Sequence, residues 1–274
     1  MRTTPTTTTT PTLASLFSGN WDTGDVSQWS GSQCAGDISN GIARGTYAIV
    51  SSPVAQGTFS ANFELPAASV ANACEVYHQR TVATGTDDYY AFDLMFPTNW
   101  QEPSPAGWGM LVGQLNYVGW LTGVGPPIGI SAHAGKLVMV LLSGNSVGGV
   151  PTYSTGPDNN GVGARCGTVT CQIIPQGQLT LGVWHQIVVH VHWATDSTGK
   201  VDSWWRRKGE AVWNPEAYIT GVPTLQWINN SPYPSSQTSY DKIGAYRGAA
   251  IFPLSVRNDG FCRATTFVAA AACS

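Results

Sequence analysis

The chain has 274 residues, a formal charge of -3 and a pI near 5.9. Charged residues make up only 11% of it, against about 25% in an average soluble protein, while Gly (31) and Trp (11) are plentiful. This balance excludes a nucleic-acid binder, which needs a dense basic stripe, and argues against a heavily sulfated partner.

From the N-terminus, MRTTPTTTTTPTLASLF holds no apolar run of signal-peptide length. Its Thr/Pro content reads as a disordered linker over residues 1–14, with a single domain over 15–274. No segment approaches the apolar length of a membrane span. Next comes GNWDTGD, where Asp22 and Asp25 offer hard oxygens for a structural calcium, an Asx-type turn being the other reading.

Short apolar and alternating stretches follow, bounded by Gly, Pro, Asn and Ser: GIARGTYAIV, GTFSANFEL, CEVYHQRTV, DYYAFDLMF, GMLVGQLNY, PIGISAHAG, KLVMVLLSG, WHQIVVHVHW, KVDSWWRRKG and DKIGAYRG. Many strands at short intervals, and almost no amphipathic helix, predict an antiparallel sandwich or jelly roll. The Gly-rich stretch from Ser143 to Gln178 is expected to be a long loop at one rim. The six cysteines lack paired CxxC spacing, so disulfides are expected rather than zinc. Short separations favour Cys166 with Cys171 and Cys262 with Cys273, leaving Cys34 for Cys74, and this implies an oxidising compartment. A secretion signal is then expected to have been removed or replaced, and the protein to be extracellular.

Three stretches carry polar groups at strand spacing. In YDKIGAYRG, Tyr240, Lys242 and Tyr246 share one face while Ile243, Ala245 and Arg247 share the other. In GQLNY, Gln114 and Asn116 lie together. In CEVYHQR, His78 and Arg80 alternate with Glu75, Tyr77 and Gln79, and parity leaves open which set looks into a cleft. Trp108 and Trp120 flank GQLNY and suit sugar stacking. His190 and His192 share a face without a visible third ligand, which favours a solvated or packed face over a metal site.

Taken in order, CEVYHQR, DDYYAFDLMFP, GQLNY, PPIGI, WHQIVVHVHW to WWRRKGE, and KIGAYRG resemble the polysaccharide lyases of the heparin-lyase-I-like and glucuronan-lyase group, related to alginate lyases. The resemblance runs from Phe17 to about Gly248; the hairpin and KIGAYRG are its most specific parts. It implies an all-β, concanavalin-like β jelly roll sandwich of two antiparallel sheets, and a secreted monomer that cleaves an anionic, glucuronan-like polyuronate by β-elimination without a required cofactor or metal. On that basis Tyr246 takes the catalytic tyrosine position, as acid and as one candidate base. His78 is base or carboxylate partner, and Gln114 neutralises the uronate carboxylate. Arg80, Asn116, Lys242, Tyr240 and Trp108 are expected to bind substrate. The competing readings are a non-catalytic carbohydrate-binding module and a glycoside hydrolase; the latter needs two carboxylates across the scissile bond, and the five Glu show no such pair at alternate spacing.

Overall fold

The computed structural model describes residues 15–34, 42–103, 109–117, 126–147, 150–155, 174–228 and 236–274. The 1–14 stretch, Trp108, Trp120, Cys166 and Cys171 therefore lie outside the described residues.

The alternating stretches form two facing sheets. One runs in the order β15 (Asn214–Thr220), β14 (Lys200–Arg207), β13 (Trp184–Trp193), β7 (Thr86–Met95), β18 (Leu254–Ala264), β5 (Ser60–Leu65) and β4 (Thr46–Val50), with β1 (Ser15–Gly19) on β18. The other runs β11 (Val150–Thr155), β10 (Lys136–Val147), β9 (Ile128–His133), β8 (Met110–Tyr117), β17 (Ser236–Arg247), β6 (Asn72–Ala83) and β2 (Gly31–Ser32). Here β12 (Ile174–Gln178) and β16 (Gln226–Ile228) pair with β10, and β3 (Ala43–Arg44) with β6. Pairing is antiparallel apart from β10 with β16 and β3 with β6. This is the jelly-roll sandwich that the strand pattern predicts.

Alternate residues of each strand meet between the sheets. Phe63, Phe92, Leu94, Ile187, Val189 and Val256 from the first sheet pack in one core with Val76, Leu115, Ile130, Met139 and Ile243 from the second. Full burial of such side chains stabilises by about 1.5–3 kcal/mol each. Gly113 on β8 makes room for this packing: a Cβ there would lie 2.7 Å from the Phe92 ring.

Two expectations need correction. The stretch Ser143–Gln178 is not all loop, since β10 continues to Val147 and the stretch also contains β11 and β12. β18 is missing from the strands expected, yet it lies inside the first sheet between β7 and β5. Its Asn258-Asp259-Gly260 run looks like a turn; the strand absorbs it as a register shift, with Gly260 at φ +61°.

Cys34–Cys74 and Cys262–Cys273 are bonded. The second ties the short helix α1 (Phe267–Ala271), capped by Thr266, to β18, where Ala269 and Ala270 pack on Ala91, Val188 and Ala264. No helix among the described residues is long and apolar enough to cross a membrane.

Candidate functional site

The site is built on three adjacent strands, with β17 between β6 and β8. Lys242 stands opposite Tyr77 on one side and Gln114 on the other; Tyr240 stands opposite Gln79 and Asn116. Tyr246 stands opposite Ala73 and Leu111. Directly opposed residues share a sheet face, so these side chains form one surface. Ile243, opposite Val76 and Gly113, faces the core.

On that surface the polar groups form one network. The Lys242 ammonium donates to Gln33 Oε1 at 2.8 Å and to Glu75 Oε2 at 3.4 Å. Gln114 Nε2 donates to the other Glu75 oxygen, and Asn116 Nδ2 donates to Gln114 Oε1 at 2.9 Å. Glu75, Gln114, Asn116 and Lys242 are all buried, whereas Tyr77, Tyr240 and Tyr246 are half-buried. Removing an ammonium and a carboxylate from water costs several kcal/mol per ion, and their pairing with added hydrogen bonds offsets it. The result is a nearly neutral floor of oriented donors, with tyrosines above it. The Tyr77 and Tyr240 rings meet edge to face at 6.3 Å, and the Lys242 ammonium lies 5.2 Å from the Tyr240 centroid. Gly31 on β2 makes room for Tyr77, because a Cβ there would sit 2.5 Å from the phenolic oxygen.

Five of the residues singled out in the sequence come together here: Tyr240, Lys242, Tyr246, Gln114 and Asn116. Two do not. His78 and Arg80 project from the opposite face of β6, the side of Cys74 and Val76. His78 stacks on Phe17 with centroids 3.7 Å apart and planes at 10°. Arg80 pairs with buried Asp241 at 2.5 Å and lies over the rings of Tyr90 and Trp193. The reason is register: Val76 pairs with core residue Ile243, so every second residue of β6 from Cys74 onward is turned inward. Glu75, Tyr77 and Gln33 were not foreseen. The sequence did hold a signal for the first two, since a half-cystine and a valine at 74 and 76 mark the inner face and leave 75 and 77 for the outer one. Arg247, on the packing side by parity, is buried and donates to Asn72 and to the carbonyls of Pro66 and Phe252.

The remaining polar candidates are tied up locally. His190 lies between Asp202 (2.9 Å) and Asp87 (2.7 Å) on the outer face of the first sheet, and His192 also meets Asp87 at 3.1 Å. These contacts hold the Asp87 carboxyl low against the opposing effect of its burial. Asp25 accepts from the Ser27 amide, an Asx-type turn, and Asp22 accepts from the Thr58 amide and from Asn20. Among the described residues no group of three or more His, Cys, Asp or Glu is arranged to hold a metal ion.

Fold and surface together define a β-sandwich with amides, an ammonium and phenols along one face of a sheet. A family model for polysaccharide lyases matches residues 21–260, and the chain belongs to that family. Among solved structures it is similar to an endo-β-1,4-glucuronan lyase from the fungus Trichoderma reesei, at 18% identity and TM-score 0.64, covering 93% of this chain and 97% of that one. It is also similar to a cellulose-induced protein, Cip1 (14% identity, TM-score 0.52, 91% and 97% covered), and to an alginate lyase from Aplysia kurodai (13%, 0.50, 80% and 87%). At these identities the likenesses establish the jelly-roll fold. No curated protein matches the chain. The protein is a polysaccharide lyase.

Proposed function

We propose that residues 15–274 act as one secreted, monomeric lyase domain that cleaves an unsulfated, glucuronan-like polyuronate by β-elimination. The observation that carries this reading is the Glu75-ordered set of Gln114, Asn116 and Lys242 on the same sheet face as Tyr246. Removing the C5 proton loads negative charge onto the uronate carboxylate, and preorganised donors lower that barrier. Gln114, Asn116 and Lys242 are those donors, held by Glu75. Tyr246 as phenolate takes the C5 proton; the electron pair forms the C4–C5 double bond and the C4–O4 bond breaks. Tyr246 then returns the proton to O4.

With His78 turned to the core, one phenol serves as both base and acid. That economy suits a glucuronate, whose C5 hydrogen and C4 oxygen lie on the same side of the ring. Charge supports the same substrate class. Lys242 is balanced by Glu75, so this floor suits one carboxylate per sugar better than sulfates, which recruit extra Arg and Lys. Tyr77 and Tyr240 supply walls for the sugar rings. The bonded cysteines support an oxidising, extracellular setting. The steps use protein groups only.

The test is to incubate the protein with glucuronan, alginate blocks and heparin and follow the ultraviolet absorbance of the new double bond. Activity is expected on glucuronan and not on heparin. Tyr246→Phe is expected to lose about 10²–10⁴-fold in kcat with an unchanged melting temperature. Retention of wild-type kcat by that variant overturns the assignment, and reducing ends without absorbance would mark a hydrolase.

A further inference from the structure

The Glu75 network has an edge toward solvent, and Gln33 forms it. Glu75, Gln114, Asn116 and Lys242 are buried, whereas Gln33 is exposed. Its place is nevertheless fixed. The register of β2 on β6, with Gly31 opposite Tyr77 and Ser32 opposite Val76, brings Gln33 beside Glu75, whose carbonyl accepts the Gln33 backbone N–H at 2.7 Å. Cys34 follows and is bonded to Cys74, with Cα atoms 4.3 Å apart, so a covalent link lies next in sequence to both Gln33 and Glu75. Glu75 in turn stands opposite Gly244 on β17, between Lys242 and Tyr246. Gln33 is thus stapled to the floor at a level between the ammonium and the catalytic phenol proposed above.

Chemistry orients its side chain. An ammonium has donors and no acceptor, so the amide oxygen of Gln33 has to face Lys242. It accepts from the Lys242 ammonium at 2.8 Å, closer than the Glu75 oxygen at 3.4 Å. That leaves the Nε2 group for another acceptor, and it has none among the described residues. Amide bond lengths put Nε2 about 2.3 Å from Oε1, hence no more than about 5 Å from the Lys242 nitrogen. Two donors at that separation suit the two oxygens of one carboxylate, each accepting at about 2.9 Å.

We infer that Gln33 is a substrate-binding residue of this site, its Nε2 donating to the uronate carboxylate that Lys242 holds and the Cys34–Cys74 bond keeping it in reach. The inference rests on the polyuronate reading above. Two substitutions in the whole protein separate its roles: glutamate still accepts from Lys242 but cannot donate, and alanine does neither. KM on glucuronan is read from the double-bond absorbance, and affinity for short oligoglucuronates from calorimetric titration.

Gln33→Ala is expected to raise KM and weaken oligosaccharide binding by about tenfold, the worth of one hydrogen bond to a charged group. Gln33→Glu should lose more, because it sets a like charge against the uronate, and added salt should narrow its gap to Gln33→Ala by screening that charge. Changes in kcat should be smaller than those in KM, and melting temperatures should hold because the side chain is exposed. Wild-type KM and affinity in Gln33→Glu overturn the contact and reduce Gln33 to a prop for Lys242. Unchanged values in both variants, or losses confined to kcat, overturn it as well. Gln33-dependent oligouronate binding without any double-bond product from wild type leaves the contact standing and removes the elimination reading instead.

Discussion

Asp93→Asn should change how stability responds to pH. Asp93 is fully buried on β7, opposite Asp259 on one side and Gln186 on the other. Burial pushes its carboxyl up to about 8, and the neighbouring Asp259 adds to this, against lowering by Lys208 and by the Gln186 amide at 3.3 Å. Asp259, raised to about 6 by burial, is restrained by the amides of Ala55, Gln56 and Gly260. The unfolded chain releases the Asp93 proton near pH ~4, whereas the folded chain keeps it to about 8. The folded state therefore binds more protons across that window, and stability falls as pH rises through it. The slope reaches about 1.4 kcal/mol per pH unit, which amounts to roughly 3–4 kcal/mol between pH ~5 and pH ~8 from this site. For a chain of this size that corresponds to about 10 °C in melting temperature. Asparagine keeps the shape and cannot ionise, so this component should vanish. Urea or thermal denaturation of wild type and variant across the range measures it: the variant should gain on the wild type as pH rises. Parallel profiles would refute the claim that Asp93 is buried as the neutral acid.

Other substitutions test the face assignments. His78→Ala should lower stability by about 1–2 kcal/mol through loss of its stacking on Phe17, measured by chemical denaturation, while kcat/KM on glucuronan stays within about threefold. A hundredfold loss of activity in a folded protein would return His78 to the catalytic set. Glu75→Gln removes the charge that holds Lys242 and reorients Gln114; it should cut kcat by about 10²-fold with a smaller change in KM. Steady-state kinetics on glucuronan read both, and an unchanged kcat would show that Glu75 does not order the donors.

How far the sequence reached depended on whether one face of a strand was plainly apolar. In β17 it was: Ile243 and Ala245 alternate with Tyr240, Lys242 and Tyr246, and the paired register has the same division. In β6 it was not, because the inner face carries His78 and Arg80, made tolerable by Phe17 below one and by Asp241 with two aromatic rings around the other. Those partners are supplied by β1, β17, β7 and β13, distant in sequence, so no local pattern announces them. The same applies to Glu75, whose carboxylate partners Gln114 and Lys242 come from two other strands, while Gln33 reaches Lys242 from a third segment. β18 was hidden by turn-forming residues that the sheet takes up as an irregularity.

The two ion pairs between β6 and β17 have a bearing on how this enzyme can change. Arg80–Asp241 locks the ribbon from beneath, and Lys242–Glu75 locks it from above one position along. A mutation in either strand disturbs a charge whose counterpart is already buried. β8 meets the same surface through uncharged amides, and its neighbour β9 carries Gly129 opposite Gln114. Divergence toward new sugars therefore has its easiest route through β8 and β9, while β6 and β17 stay fixed as the chassis on which such variants are tried.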